Sequence, residues 1–315
     1  MPCRLLLAGL MLVNCLACAQ TLTPVRVSEN AFAFPGDDRG PTQDDRIVSG
    51  NAGFIVGPEG VVVIDTGLSH RNGERMIDAI ARVTDRPIVL VIITHAVQEF
   101  VFGAGAFEKL GVPIGAHQET IDLMKARCQH CLDNMKPLLG EELNGTKLVL
   151  PDIAWHGATH ISAGGTDLEL LNFGWAATPG DIAVLDRRSG TLFAGGLLAS
   201  AHVPEIRDCD FQGWRRAIAA LTKLPLRHIV PGHGPVSGTR ALNDTAHYLA
   251  ALDNKVRTLY EHSSSLIDAL EQADLPEFAE WSAYQAHHRK NVLHRYLQLE
   301  IEELGGDPRS TALPQ

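Results

Sequence analysis

His95 and Glu99 stand four residues apart, just past the apolar run Ile88-Val89-Leu90-Val91-Ile92-Ile93. A run of that kind reads as a buried strand. A histidine and a carboxylate at short spacing past a strand end are groups that converge on a metal ion. Val97 and Phe100, which sit among these residues, have no lone pair to give. The pattern is a metal-ligand frame with gaps.

The elements that must position these residues follow from the flanking sequence. Gly53 to Val56, the turn Gly57-Pro58-Glu59-Gly60, and Val61 to Gly67 predict a hairpin of two buried strands. Val101 to Phe107 predicts the start of a helix. Thr178-Pro179-Gly180-Asp181 leads into the apolar Ile182 to Asp186, and Gly190 to Leu197 and Ile229 to Pro235 follow. From about Ala52 to Pro235, the order of these pieces resembles the metallo-β-lactamase-fold hydrolases. Ala201-His202-Val203-Pro204, Gly213-Trp214 and a helical tail resemble the periplasmic branch of that superfamily associated with quinoprotein dehydrogenases and sulfur-oxidation clusters. The resemblance implies an α/β fold, a four-layer αββα sandwich of two similar halves, with a helical C-terminal extension. Strands are expected at Phe54–Val56, Val61–Ile64, Val89–Ile93, Leu168–Leu171 and Ile182–Leu185. The striped helices Glu74–Val83 and Trp214–Leu221 belong on the outer faces.

The resemblance also implies a ligand set, carried over position by position. The first histidine of the family's H-x-H-x-D-H motif matches His95. Its second and third fall on Val97 and Phe100, and its aspartate falls on Glu99, one methylene longer. The histidine before the Thr-Pro-Gly-Asp turn falls on Ala177, the bridging aspartate on Gly196, and the last histidine on His233. Asp65, which supports the motif loop, is kept. Catalytic zinc ordinarily takes three protein ligands and an open position. With the bridge gone, nothing holds two cations close enough to share a hydroxide, and apolar Val97 and Phe100 fill vacated space as core residues do. Two-metal hydrolysis is therefore expected to be lost. The cofactor is expected to be absent, or one weakly bound divalent metal, zinc or iron, on His95, Glu99 and His233. His202 is the best extra ligand, and Gln98, Asp181, Asp208, Cys209 and Asp210 border the same pocket; the bland alternative makes His202 an ordinary loop histidine. His117 reads as structural, His156 and His160 as surface residues, and His287, His288 and His294 as solvated residues of a polar helix.

Residues 1–19 read as a signal peptide, with Arg4, the apolar Leu5 to Val13 and the small residues Ala17-Cys18-Ala19 before Gln20. The apolar run is too short for a membrane span, and Cys15 is a poor residue three places before a lipid-bearing Cys18. The expectation is a periplasmic or secreted protein. Residues 20–45 read as an N-terminal linker and strand, with Asp37 to Pro41 as its loop. Residues 46–240 read as the metallo-β-lactamase-like domain, 241–304 as the helical extension, and 305–315 as a mobile tail. In the extension, Leu242 to Glu261 and Leu293 to Leu304 carry apolar residues at helical spacing, broken at Leu275-Pro276.

Of six cysteines, Cys128, Cys131 and Cys209 lie beyond the leader. In an oxidising compartment, Cys128-Gln129-His130-Cys131 reads as a local disulfide. A 45% hydrophobic composition supplies a sizeable core, and a net charge of −10 argues against nucleic acid. Two functional expectations remain. One is a ligand-depleted, non-hydrolytic relative that binds a small molecule or a protein, with a quinoprotein dehydrogenase or c-type cytochrome as the implied partner. The other is a hydrolase with one remodelled metal. Metal-free hydrolysis by Ser200 with His202 rests only on their nearness in sequence.

Overall fold

The computed structural model describes residues 22–36, 50–236, 238–307 and 309. The predicted leader, the Asp37–Pro41 loop and most of the predicted tail lie outside the described residues. Among those residues the strands are β1 Val25–Arg26, β2 Ala31–Phe34, β3 Ala52–Val56, β4 Val61–Ile64, β5 Ile88–Ile92, β6 Ile114–His117, β7 Ile153–Trp155, β8 Thr159–Ala163, β9 Thr166–Asn172, β10 Ile182–Asp186, β11 Thr191–Ala199 and β12 His228–His233. The helices are α1 His70–Ala81, α2 Gln98–Val101, α3 Ala104–Glu108, α4 Gln118–Leu123, α5 Gln129–Leu139, α6 Phe211–Leu221, α7 Arg240–Glu261, α8 Leu266–Gln272 and α9 Tyr284–Glu303.

Strands β1 to β7 form one sheet in sequence order, and β12-β11-β10-β9-β8 form the second. The predicted hairpin is β3 and β4, antiparallel with Val56 opposite Val61. Strand β5 is interior, parallel to both β4 and β6. Alternation along each strand assigns its two faces. Val62, Ile64, Leu90 and Ile92 pack with Leu168, Leu170, Ile182 and Val184 of the second sheet in a core between the sheets. Val61, Val63, Val91 and Ile93 point the other way, into a core with Met76, Ile80 and Phe107 of α1 and α3. On the far side, Ala183, Leu185 and Leu192 pack with Trp214 and Ile218 of α6 and with Leu249, Leu252 and Val292 of α7 and α9. Three apolar layers between four structural layers make the expected αββα sandwich. The C-terminal helices share the third of these cores with the second sheet.

Two expectations are corrected. The last helix begins at Tyr284, well before Leu293, and is not a solvated polar helix. His288 and His294 are buried and His287 is half-buried. The polar inward face is satisfied across the fold: Asn291 Nδ2 donates to Pro204 O and Tyr248 Oη, each at 2.8 Å, and Arg295 Nε donates to Asp253 Oδ1 at 2.8 Å. The disulfide expected of Cys128 and Cys131 is also absent. Cys128 is a free thiol turned into the core with Met124 and Leu132, and burial pushes it up to about 12. No described helix is long and apolar enough to cross a membrane.

Candidate functional site

The loop after β5 carries His95, and its backbone is fixed from β4. Asp65, at φ 59°, accepts hydrogen bonds from Thr94 N and Thr94 Oγ1, both at 2.8 Å. Because the Thr94 hydroxyl donates to Asp65, it accepts from His95 Nδ1, 2.7 Å away. That chain assigns the proton to Nδ1 and leaves the Nε2 lone pair facing inward. Burial lowers the His95 pKa to about 3 and raises that of Asp65 to about 7. The motif support is therefore intact.

The space beside His95 is filled. Phe100 is 2% exposed; its ring lies 4.2 Å from the His95 ring and 5.4 Å from that of His233. A Cβ at Gly50 would come within 2.0 Å of Phe100 Cζ, so the ring occupies the space over that glycine. Likewise, a Cβ at Gly196 would lie 2.8 Å from His95 Cδ2 and 3.0 Å from its Nε2. His95 stands in the volume the bridging residue would need. Val97 and Ala177 line the same cavity and bring only hydrocarbon. Among the described residues, no three His, Cys, Asp or Glu side chains are gathered to hold an ion as they stand. A two-metal centre does not fit these residues.

The other polar groups remain around a cavity of about 140 Å³. His233 Nε2 is 3.2 Å from Glu99 Oε1. The contact is off the line of a hydrogen bond, and both ring nitrogens of His233 are buried without a hydrogen-bond partner. Burial lowers the His233 pKa, reinforced by the charges of His202, His95 and His287. Burial raises Glu99 to about 7, with Glu205 adding to the shift and Arg207 opposing it. The ring of His202 lies 4.4 Å from that of His233 and 6.0 Å from that of His287. His287 Nδ1 is 2.9 Å from Val203 O. Phe100, Leu198, Pro204 and Trp214 supply the apolar walls.

The structure thus brings His95, Glu99, His202 and His233 together at the cavity, with Phe100 packed against the His95 and His233 rings. Gln98 and Asp208 line the cavity too, but Asp208 is held by Arg127 at 2.6 Å. Asp181 is spent inside its turn, accepting from Thr178 N and Oγ1. Asp210 caps α6 and Cys209 is core. His117 caps α4, and His156 and His160 are exposed. Ser200 Oγ donates to Asp244 Oδ2 at 2.7 Å, which removes it as a nucleophile beside His202.

Sequence reasoning missed His287, which enters the cavity from α9. The segment carrying His202 pairs with Ser282 just before that helix: Ser282 N donates to Ala201 O at 3.0 Å and Val203 N to Ser282 O at 2.9 Å. The recurrence of His288, Asn291, Arg295 and Gln298 at helical spacing was the available sign that this face is buried.

A family model described as the metallo-beta-lactamase superfamily matches residues 45–233. The chain is 22% identical over 204 residues to metallo-beta-lactamase type 2 of Bacteroides fragilis, covering 63% of this chain and 74% of that protein. In fold it is similar to a metallo-beta-lactamase from Pontibacter korlensis, with a TM-score of 0.60, 22% identity, and coverage of 73% of this chain and 99% of the other. It is also similar to the DIM-1 metallo-beta-lactamase exposed to ceftazidime, with a TM-score of 0.58, 18% identity, and coverage of 73% and 96%.

Proposed function

This chain belongs to the metallo-β-lactamase superfamily, and we propose that it is a non-hydrolytic member, an exported binding or accessory factor near quinoprotein dehydrogenase or sulfur-oxidation systems. The observation that carries the proposal is Phe100, whose ring packs on both His95 and His233 and replaces a metal ligand with a plug. Fold does not carry function once the reacting groups are gone. The remaining cavity has the character of a small-molecule site: apolar walls with a few convergent polar groups. A ligand there would lie on Phe100, Leu198 and Trp214 and meet Glu99, His202 and His287. The partner class, a periplasmic quinoprotein dehydrogenase or c-type cytochrome, rests on the family resemblance.

Hydrolysis at one remodelled metal is the second reading, favoured by the approach of Glu99 to His233. Turnover separates the two. Purified protein saturated with zinc, and separately with iron(II), is assayed against a β-lactam, a thioester and a phosphodiester. The non-hydrolytic reading expects rates at background. Metal-dependent turnover that disappears in Glu99→Ala overturns it. Affinity capture from the native periplasm tests the partner: recovery of no dehydrogenase, cytochrome or sulfur-oxidation component overturns that assignment.

A further inference from the structure

The cavity beside Phe100 has room for one small organic molecule. Its volume is about 140 Å³, and an apolar cavity of about 150 Å³ takes up benzene. Leu198, Trp214 and Phe100 offer hydrocarbon and ring faces for such a body. The polar groups around it are mostly acceptors, and their charges do not balance. Among the described residues, Arg207 is the one guanidinium or ammonium group lining the cavity. It is engaged: Nη2 stands 3.8 Å from Glu205 Oε2 and Nε 3.5 Å from Asp208 Oδ2, and Arg127 also pairs with Asp208 at 2.6 Å. Glu99 has no such cation among the described residues. The group beside its carboxylate is His233, at 3.2 Å and out of line for a hydrogen bond. Burial, reinforced by the neighbouring imidazoles, holds His233 neutral. His287 adds a further acceptor. Its Nδ1 meets the Val203 carbonyl at 2.9 Å and can do so only as a donor, so its lone pair is on Nε2.

We propose that this cavity takes a small organic cation: a primary amine on a hydrocarbon body the size of one aromatic ring, with its ammonium group on Glu99 and its body on Leu198, Trp214 and Phe100. The assignment rests on the reading of the cavity as a small-molecule site and gives that site a ligand class. A buried carboxylate without a counter-ion is costly, and an entering cation offsets the cost by pairing with it. Ring faces attract the same charge, since the quadrupole of an aromatic ring stabilises an ammonium group within about 6 Å of its centroid. An ammonium group brings three donors and no acceptor, which suits an edge made of the Glu99 carboxylate and the His287 lone pair. A carboxylate ligand of the same shape meets the reverse. Glu99, Glu205 and Asp208 repel it, and Arg207 is already engaged. A neutral alcohol fits the walls but leaves Glu99 uncompensated.

Three ligands of one shape separate these cases: benzylamine, benzyl alcohol and benzoate, each titrated calorimetrically into the full chain with chelator present. At about pH 8 an aliphatic ammonium group keeps its proton. Benzylamine should bind at least about tenfold more tightly than benzyl alcohol, the scale of a hydrogen bond to a charged group, and benzoate should bind most weakly. Glu99→Gln should erase the preference for the amine while keeping the affinity for the alcohol. A melt checks that the variant folds; if it does not, Glu99→Asp stands in and should reduce the preference. Equal affinity for the three ligands, or tighter binding of benzoate, would overturn the cation assignment and leave a small-molecule site of another class. A preference for the amine that survives Glu99→Gln would overturn it too, and so would a parent chain that takes up none of the three at millimolar concentration. The turnover assays above read hydrolysis separately, so the cation assignment and the non-hydrolytic reading can each fail alone.

Discussion

If Phe100 fills the former metal centre as a core residue, removing it should behave as a core deletion coupled to Gly50. Phe100→Ala strips a ring that is 2% exposed and packed on two imidazoles. Phe→Ala in a core costs about 3–5 kcal/mol. Here the hole opens into the solvent-accessible cavity, so water can enter and the lower end, about 3 kcal/mol, is expected. For a chain of this size that lowers the melting temperature by about 4–5 °C. Gly50→Ala should also destabilise, for the opposite reason. Its Cβ would meet three atoms of the Phe100 ring at 2.0, 2.3 and 2.8 Å, and overpacking of this kind costs about 1–3 kcal/mol. Gly50 does not occupy the left-handed backbone region, so the cost is steric and resides in that one ring.

The double variant is therefore the informative one. With the ring gone, the new methyl meets open space, and the Gly50→Ala penalty should vanish. Denaturant unfolding of the four proteins should give a coupling of about 1–3 kcal/mol in the favourable direction, well outside the scatter of independent sites. Additive losses would mean that the ring does not sit over Gly50, and the plugged-site reasoning would fail with it.

Reinstating Val97→His, Phe100→His, Ala177→His and Gly196→Asp together, with Glu99→Asp if needed, should produce a protein stabilised by zinc through mass action, whereas Gly196→Asp alone should destabilise because of the 2.8 Å approach to His95; melts with and without zinc decide both. Asn291→Ala should cost about 2–4 kcal/mol by denaturant unfolding, since it strands Ile206 N and Pro204 O inside the protein, and a loss below about 1 kcal/mol would contradict that accounting. Burial raises Asp181 from 3.8 to about 7 despite hydrogen bonds from Thr178. A folded pKa above the unfolded one gives a contribution fully present below 3.8 and lost as the pH climbs through about 7. Melting temperature should therefore fall more steeply between about pH 4 and 8 in the parent than in Asp181→Asn, and parallel profiles would refute the assignment.

The sandwich was legible because its strands are nearly pure apolar runs between turns. Val61–Ile64 coincides with β4, and Val89–Ile93 differs from β5 by one residue at each end. Strands buried on both faces leave this signal without knowledge of their partners. The C-terminal helices were harder. Leu242–Glu261 carries an apolar stripe and nearly matches α7, but the inward face of α9 mixes Val292, Tyr296 and Leu299 with His288, Asn291, Arg295 and Gln298. Their partners, including Tyr248, Ala273, Ile206, Asp253 and Cys209, lie far along the chain. Apolar periodicity cannot register a face whose burial depends on hydrogen bonds made elsewhere. The same blindness hid His287, whereas His95 and Glu99 were visible because they follow a strand, and His233 because it ends one.

The hydrogen-bond chain from Asp65 to His95 also serves the fold. Asp65 and Thr94 orient His95, whose Nε2 lies against the backbone at Gly196. Those bonds also terminate β4 and β5: Asp65 N donates to Ile92 O, and Ile182 N donates to Thr94 O in the loop between them. The support therefore serves the junction of the two sheets as well as the site, and losing it would cost the fold. With Phe100 over Gly50 and His95 against Gly196, these side chains close the space around one another. A return to metal ligation then requires several changes together, because each one alone meets a neighbour that has already closed the space.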